Sequence, residues 1–226
     1  MDANPEIAVA QTAGYWDDRA LLNLTATANF RYCQIHGYHY ENYFGRKRGA
    51  APAHAIYNPI FVLQEFLARG YGGWVVLLDA ATFIADFTVA LDRALAPHND
   101  QCLLAAAVGE AAVLLFNLGH FEGRNLAQAW VAEFNAVVPE LYLAAPGATP
   151  GAFPDALALL QNVLAATPAL AARVKQVDLT SLSKAEGGAI RSAPVTGFAS
   201  NDDRLRWLVA EIQKVLAQQP ITPKST

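Results

Sequence analysis

The feature that most constrains the fold is a run of five apolar residues, Trp74 to Leu78, which follows Gly72 and Gly73 and ends at Asp79. A strand that is apolar at every position has both faces covered, which is typical of a central strand in an α/β sheet. A carboxylate directly after such a strand is costly to bury unless a partner satisfies it. The run therefore predicts a layered α/β fold with a polar position where a buried strand ends.

Strands and helices alternate in the first third of the chain, which favours an α/β sheet with right-handed crossovers. The elements predicted there are a strand at 7–10, a helix at 21–35, a strand at 39–44, a helix from Asn58 to Gly70 and the strand at 74–78. Further on, we predict strands at 103–108 and 112–116, a helix capped by Asn125, helices at 155–166 and 168–175, a polar loop at 179–202 and a last helix at 205–216. We expect a single domain.

Composition narrows the class of protein. The 226 residues are 54% hydrophobic and 16% charged, so the chain can bury a core and is not disordered. Sixteen basic against 20 acidic residues give a net charge of −4 and a pI near 5.7. A nucleic-acid binder needs a basic face, and the only basic cluster, at 46–48, is typical of a solvated loop. We therefore expect no nucleic-acid partner.

Cysteine usage and hydropathy favour a cytoplasmic protein. Cys33 and Cys102 cannot build a disulfide framework or a zinc site on their own. The first six residues lack a basic segment followed by an apolar one, so they do not resemble a signal peptide. The most apolar stretch, 102–116, is interrupted by Gly109 and Glu110 and is too short to span a bilayer.

Candidate ligand-binding segments follow the predicted strands, because ligands in open α/β sheets bind beyond the carboxyl ends of strands. These segments are 12–14, 79–81 and 117–124. Asp79 either caps its own turn, by accepting from Ala81 or Thr82, or contacts a nucleotide or a metal. Asp86 is expected to cap a helix near Thr88. His120, in the third segment, is either structural or ligand-facing.

Several nucleotide and hydrolase motifs are missing from the sequence. There is no Gly-x-Gly-x-x-Gly after the first strand and no Walker lysine loop, which argues against dinucleotide cofactors and P-loop chemistry. There is also no Gly-x-Ser-x-Gly nucleophile elbow.

Two sequence blocks carry a family resemblance. Residues 71–84 read Tyr-Gly-Gly-Trp-Val-Val-Leu-Leu-Asp-Ala-Ala-Thr-Phe-Ile, and residues 117–125 read Asn-Leu-Gly-His-Phe-Glu-Gly-Arg-Asn, with Trp130 following. They resemble nucleotide-diphospho-sugar transferases of the GT-A fold and are most similar to glycosyltransferase family 34, the galactosyl-, mannosyl- and xylosyltransferases. In that family a hydrophobic strand enters an Asp-x-Asp turn, and an Asn-[Ser/Thr]-Gly-x-Phe-x-x-Arg-Asn segment follows later. Pro154-Asp155 weakly resembles the family's Asp-Gln helix start.

The resemblance covers roughly 5–165 and implies a single GT-A-like (Rossmann-like) domain over 1–226. Its mixed, mostly parallel sheet is flanked by helices, with a nucleotide-binding core at 1–140 and acceptor-side helices at 141–226. The implied partners are a nucleoside-diphosphate sugar and a glycan or other hydroxyl acceptor. Transfer occurs with retention of configuration in that family.

The resemblance also implies roles for particular residues. The nucleotide and sugar would meet Thr12, Ala13, Tyr40, Asp79, Ala80, Ala81, Asn117, Gly119, His120 and Arg124, with Tyr40 stacking on the base. A retaining site of that fold needs no fixed base residue, so the resemblance names none. From their positions in the sequence, Glu122 and Asp155 are the candidate catalytic carboxylates that would face an acceptor hydroxyl or a developing oxocarbenium. Oligomeric state is not indicated.

The sequence departs from the family at its metal site. Ala81 replaces the second carboxylate of the motif, and no histidine in 195–203 matches the family's later metal ligand. Mn²⁺ or Mg²⁺ prefers oxygen ligands, and only Asp79 of the motif supplies them. Three hypotheses remain. The first is a transferase that is metal-independent, using cations at 46–48 or Arg191, or weakly dependent on Mn²⁺ or Mg²⁺. The second is an inactive protein of the same fold that binds a nucleotide or glycan, and the third is an unrelated nucleotide-binding module.

Overall fold

The computed structural model describes residues 6–14, 16–108, 111–147, 152–178, 189–194 and 196–218. Its strands are β1 (Ile7–Ala13), β2 (His39–Phe44), β3 (Trp74–Asp79), β4 (Thr82–Ile84), β5 (Leu103–Val108), β6 (Ala111–Asn117), β7 (Val174–Gln176) and β8 (Ile190–Ser192). Its helices are α1 (Trp16–His36), α2 (Asn58–Ala68), α3 (Leu91–Leu95), α4 (Phe121–Val137), α5 (Glu140–Ala144), α6 (Ala156–Ala166), α7 (Pro168–Ala171) and α8 (Asn201–Gln218). Short 3₁₀ turns cover Pro52–Tyr57 and Ala96–His98.

The central sheet has six strands in the order β2-β1-β3-β6-β5-β7. β1 runs parallel to both β2 and β3, and β5 runs parallel to β7. β6 is antiparallel to both of its neighbours. In the register, Thr12 lies opposite Asp79 on β1 and β3, whereas Trp74 lies opposite Asn117 on β3 and β6. The expected mixed, mostly parallel α/β sheet is confirmed.

The apolar run of β3 is buried on both faces, as its sequence predicts. Val76 and Leu78 belong to one hydrophobic cluster, which contains side chains of α1 and α8. Val75 and Leu77 belong to a second cluster on the other face, which contains side chains of α2, α4 and α6. Alternate residues of one strand therefore hold two helical layers together, and helices cover the sheet on both sides.

A small second sheet joins the turn after β3 to the C-terminal part of the described chain. β4 pairs with β8 in antiparallel fashion, with Thr82 opposite Ser192. The Ala193 N–H also donates to the Ala81 carbonyl at 2.9 Å. Helix α8 follows and packs against α1. Within the described residues, no helix has both the length and the apolar character needed to cross a membrane.

Several predicted boundaries are wrong. Helix α4 begins at Phe121 with His120 as its N-cap, not at Asn125, because the His120 Nδ1 accepts the Glu122 N–H at 3.2 Å. The helix expected at 168–175 ends at Ala171, since the chain then pairs with β5 as β7.

Two further expectations are corrected near β4 and β8. Asp86 caps a turn rather than a helix, because its Oδ1 accepts from the Thr88 N–H and hydroxyl and α3 begins only at Leu91. Of the loop expected at 179–202, residues 190–192 form β8 instead. Residues 179–188 and 195 lie outside the described part of the chain.

Candidate functional site

The carboxylate of Asp79 organises the turn that follows β3. Its Oδ1 accepts hydrogen bonds from the Ala81 N–H at 2.9 Å and from the Thr82 hydroxyl at 2.6 Å. The turn-capping role considered for Asp79 is therefore present. The residue is exposed, and its Oδ2 has no hydrogen-bond partner in the described part of the chain. That oxygen is available to a ligand.

A buried polar network holds the backbone of this turn from below. The Gln11 side-chain amide donates to the carbonyl of Asp79 at 2.8 Å and to the carbonyl of Thr82 at 3.0 Å. It also donates to the Thr25 hydroxyl at 2.8 Å, and that hydroxyl donates to the Ala80 carbonyl at 2.8 Å. Gln11 and Thr25 are almost fully buried, so β1 and α1 together fix the turn.

Asn29 completes this network. Its amide nitrogen donates to the Gln11 Oε1 at 3.0 Å and to the Thr82 carbonyl at 3.0 Å, and its oxygen accepts the Ile84 N–H at 2.8 Å. Sequence reasoning missed Gln11, Thr25 and Asn29. The available signal was a glutamine inside an apolar strand and two polar residues four apart, which share one face of a helix.

Two neighbouring cavities open at the carboxyl ends of β1 and β3, and Thr12, Ile56, Pro59 and Asp79 line both. We call the first the polar cavity; it measures about 460 Å³, and its other lining residues include Ala13, Gly14, Asp18, Ala80, Ala81 and Arg204. We call the second the apolar cavity; it measures about 240 Å³, and its other lining residues include Leu77, Leu114, Trp130, Asp155 and Leu157.

The structure brings five of the predicted site residues together at the polar cavity. Thr12, Ala13, Asp79, Ala80 and Ala81 all line it. They meet because β1 and β3 run parallel, so that Thr12 and Asp79 are neighbours in the register and their strands end at the same edge of the sheet.

Arg204 supplies a cation at the polar cavity that sequence reasoning missed. Its Nη2 donates to the Ala193 carbonyl at 3.0 Å. Its Nε is buried and has no hydrogen-bond partner within the described ranges. The sequence gives only a weak indication of this role, because Arg204 lies on an amphipathic helix far along the chain from Asp79.

The four cations proposed from the sequence as substitutes for a metal ion contact other groups of the protein instead. Lys47 pairs with Glu65, Arg48 with Glu140 and Arg191 with Glu211, while the Arg46 Nε donates to the Gly49 carbonyl. These four cations line neither the polar nor the apolar cavity. Their contacts are with the protein itself, so Arg204 replaces them as the candidate ligand-binding cation.

Asp155 lines the apolar cavity together with Asp79, as expected if both carboxylates serve one site. It is the N-cap of α6, where its Oδ1 accepts the Ala158 N–H at 2.8 Å. The capping bond fixes the orientation of the carboxylate at the start of the helix. The residue is exposed, so a ligand in the apolar cavity has access to it.

The third predicted segment lies at the opposite edge of the sheet. β6 is antiparallel to β3, so its carboxyl end at Asn117 lies beside Trp74, where β3 begins. The prediction that this segment joins Asp79 at one rim is therefore wrong for the predicted residues in it, which are Asn117, Gly119, His120, Glu122 and Arg124.

These residues instead build the connection between β6 and α4. The Asn117 amide donates to the carbonyls of Asn99 and Gln101 at 3.2 and 3.1 Å. The Arg124 Nε donates to the Leu118 carbonyl at 2.6 Å. Gly119 lies so close to the neighbouring backbone that a Cβ would come within 2.6 Å of the Gly72 carbonyl oxygen.

Glu122 is likewise engaged at that edge. Its Oε2 lies 3.2 Å from the Arg173 Nε, and it lines neither the polar nor the apolar cavity. His120, besides capping α4, has its Nδ1 at 3.9 Å from the same carboxylate oxygen. The structural alternative for His120 is thus observed, and of the two candidate catalytic carboxylates only Asp155 shares a cavity with Asp79.

Tyr40 also lies outside both cavities. Its hydroxyl donates to the Gln11 Oε1 at 2.9 Å, and its ring centroid lies 6.1 Å from that of Phe30. Burial raises the pKa of the phenol well above its ordinary value. The structure does not bring Tyr40 to the expected nucleotide site; it makes the residue part of the network beneath the Asp79 turn.

The residues near Asp79 do not fit a Mn²⁺ or Mg²⁺ site. Among the described residues, no three His, Cys, Asp or Glu side chains come together in a way that could hold a metal ion. Ala81 offers no side-chain oxygen, and the Oδ1 of Asp79 is already bonded within the turn. Hard divalent cations require several oxygen ligands, which this donor set does not provide.

Comparison with known proteins identifies the fold. No protein-family model and no curated protein matches the chain. The structure is similar to the crystal structure of a glycosyltransferase involved in the glycosylation of the major capsid of PBCV-1. The TM-score is 0.61 at 12% identity, and the match covers 90% of this chain and 99% of that one.

A second solved structure, the apo-form glycosyltransferase GlyE of Streptococcus pneumoniae TIGR4, aligns with a TM-score of 0.49 at 10% identity. That match covers 99% of this chain and 66% of the other. The first match, at a TM-score of 0.61, shows that the fold is one that a solved glycosyltransferase adopts. The comparisons do not identify family 34 or an Asp-x-Asp motif.

Proposed function

We propose that the protein is a glycosyltransferase that moves a sugar from a nucleoside-diphosphate sugar to a hydroxyl acceptor. The observation that carries this proposal is the set of charged side chains Asp79, Asp155 and Arg204, which line two neighbouring cavities at the carboxyl ends of β1 and β3. Ligands bind at this edge in open α/β sheets. The fold shared with a solved glycosyltransferase adds support.

In this proposal the donor occupies the polar cavity. Thr12 and Ala13 meet the nucleoside, and the Asp79 Oδ2 accepts a hydroxyl of the ribose or the sugar. Arg204 binds the diphosphate, because a guanidinium forms strong, charge-assisted hydrogen bonds with phosphate oxygens. The Asp79 carboxylate thus binds a hydroxyl group of the donor, and the Arg204 guanidinium binds its phosphates.

In this proposal the leaving diphosphate is bound at the polar cavity and the acceptor at the apolar cavity. The bond from the anomeric carbon to the diphosphate oxygen breaks, and its electron pair leaves with the diphosphate, whose charge Arg204 stabilises. The acceptor oxygen forms the new bond to the anomeric carbon and transfers its proton to the Asp155 carboxylate. We propose that the acceptor attacks from the same face that the diphosphate leaves, so that the configuration is retained, as the sequence resemblance implies. Arg204, rather than a divalent ion, stabilises the leaving group.

The second candidate is a catalytically inactive protein of the same fold that binds a nucleotide or a glycan. The observation favouring it is Ala81, which leaves the turn without the second carboxylate of the motif. Release of nucleoside diphosphate from a donor that binds separates the two candidates. A transferase releases it in the presence of an acceptor, whereas a binding protein holds the donor intact.

The proposal is tested by thermal unfolding with UDP, GDP, CDP and their sugar conjugates, each with Mn²⁺ and with EDTA. A ligand at a hundred times its Kd stabilises the native state by about 2.7 kcal/mol. We expect one nucleotide to raise the Tm by a few degrees, in EDTA as well as in Mn²⁺. If no nucleotide or conjugate shifts the Tm, the proposal is wrong.

Arg204→Gln tests the assigned cation. Losing a charge-assisted hydrogen bond should weaken nucleoside-diphosphate binding about tenfold or more, while binding of the uncharged nucleoside should not change. Arg206→Gln is the matched control, because Arg206 lies on the same helix, pairs with Asp203 and lines neither the polar nor the apolar cavity. Equal losses in the two variants would contradict the assignment.

A further inference from the structure

The apolar cavity exposes large hydrophobic side chains beside a carboxylate. Five large hydrophobic residues are exposed in the described part of the chain, and two of them, Ile56 at 48% and Leu157 at 40%, line this cavity. Single exposed apolar residues are ordinary on a protein surface. Two of them at one concave site, over an apolar floor, indicate a surface that an apolar ligand covers.

The floor and the rim of the cavity differ in polarity. The floor includes Leu77, Leu114 and Trp130, all buried. The Trp130 indole N–H already donates to the Ala156 carbonyl at 2.8 Å, so it presents no free donor to a ligand. The ionisable groups that line the cavity are Asp79 and Asp155. A ligand here therefore meets both carboxylates and a hydrocarbon surface.

The size of the cavity limits its occupant. The cavity has a volume of about 240 Å³. This volume lies below the roughly 300 Å³ at which pockets for drug-sized ligands begin. One six-membered ring with a short substituent, or a short alkyl chain, fits this space.

We propose that the acceptor is an alcohol with an apolar carbon skeleton, aryl or short alkyl, whose hydroxyl meets Asp155 and whose hydrocarbon part contacts Ile56 and Leu157. This inference rests on the proposed function and names its acceptor class. A free hexose carries hydroxyl groups around its whole ring. Enclosed by these walls, several of them would lose water without gaining a hydrogen-bond partner, which is costly.

The test is a ligand-observed NMR titration of the full chain with benzyl alcohol and, separately, with glucose. We expect benzyl alcohol to bind more tightly than glucose. Leu157→Asn should weaken benzyl alcohol binding about fivefold, because it removes apolar contact area from the wall. Leu141→Asn is the matched control, since Leu141 is 85% exposed and lines neither the polar nor the apolar cavity; it should bind like the wild type.

Ile56→Asn is a second wall variant, for use if the Leu157→Asn protein does not fold. It should also weaken benzyl alcohol binding about fivefold. Benzyl alcohol binding that is absent, no tighter than glucose binding, or unaffected by both wall substitutions would overturn the proposal. Nucleotide titration of the same variants separates the two proposals. Benzyl alcohol binding without nucleotide binding would overturn the proposed function, and nucleotide binding without benzyl alcohol binding would overturn only the acceptor class.

Discussion

The side-chain amide of Gln11 donates a hydrogen bond to the backbone carbonyl of Asp79, with 2.8 Å between nitrogen and oxygen. The same nitrogen lies 3.0 Å from the carbonyl of Thr82, so one side chain holds both ends of the turn. Because the turn also carries the carboxylate that lines both cavities, a buried residue of β1 determines where that carboxylate lies.

Gln11→Leu should lower the free energy of unfolding by about 2–3 kcal/mol. Leucine has a similar size, but it cannot donate to the Asp79 carbonyl or accept from the Asn29 amide and the Tyr40 hydroxyl, as Gln11 does. Each unsatisfied buried group costs about 1–3 kcal/mol. Urea unfolding measures the loss. Gln34→Leu is the control, because Gln34 is exposed on α1 and should change stability by no more than about 0.5 kcal/mol. Equal effects in the two variants would show that the network does not stabilise the turn.

Asp79→Asn should separate the turn-capping role of Asp79 from its role toward a ligand. Asparagine keeps an oxygen that can accept from Ala81 and Thr82, so stability should fall by no more than about 1 kcal/mol. Binding of the nucleotide or donor that stabilises the wild type should weaken about tenfold, because the charged acceptor is lost. Thermal unfolding with and without that ligand measures both effects.

Asp86→Asn is the matched control for this substitution. Asp86 makes the same two turn contacts, from its Oδ1 to the Thr88 N–H at 2.9 Å and to the Thr88 hydroxyl at 2.6 Å, and lines neither the polar nor the apolar cavity. It should bind ligand like the wild type. If Asp79→Asn also binds the ligand like the wild type, Asp79 stabilises its turn but does not contact the ligand.

The parts of the fold that local pattern determines could be predicted from the sequence. The run from Trp74 to Leu78 is apolar at every position, and it forms a strand buried on both faces. Helices α2 and α6 begin at Asn58 and Ala156, close to the predicted starts, although Tyr57 rather than Asn58 is the N-cap of α2. Each of these outcomes depends on residues close together in the chain, where periodicity and capping chemistry act.

The direction of β6 could not be predicted in the same way. Its residues are as apolar as those of β3, and apolar character shows that a strand is covered but not which way it runs. Pairing with β3 in antiparallel fashion moved the segment after Asn117 to the far edge of the sheet. Arg204 and the Gln11 network were missed for a related reason, because their partners come from distant parts of the chain.

Stability should fall as the pH drops, in part because of His54. The imidazole is buried, and its Nδ1 accepts the Ala51 N–H at 3.1 Å, so that nitrogen carries no proton. Burial lowers the pKa of His54 below its ordinary value of 6.5. Below that value the unfolded state binds more protons than the native state, so acid favours unfolding.

Urea midpoints at about pH 7.5 and about pH 5.5 test this expectation, because they lie on either side of the ordinary histidine pKa. The wild type should lose stability between the two, and His54→Gln should lose less, since glutamine does not titrate. A variant that loses as much as the wild type would show that other groups cause the acid sensitivity.

The two cysteines should resist alkylation in the native protein. Burial raises the pKa of the Cys33 thiol to about 12 and that of the Cys102 thiol to about 11. Only the thiolate reacts readily, and both side chains are buried. Iodoacetamide at about pH 8 should therefore label neither residue in the folded protein and both in urea, as read by mass spectrometry. Labelling of the folded protein would contradict the assigned burial.

The pairing of β4 with β8 determines when, during synthesis of the chain, the ligand site becomes complete. β8 and α8, which carries Arg204, come late in the chain, whereas β1 and β3 come early. Synthesis proceeds from the N-terminal end and a domain folds as a unit, so the polar cavity lacks its cation until α8 has been synthesised. Tight binding of a diphosphate would therefore report that synthesis has passed α8 and that this helix has packed against α1.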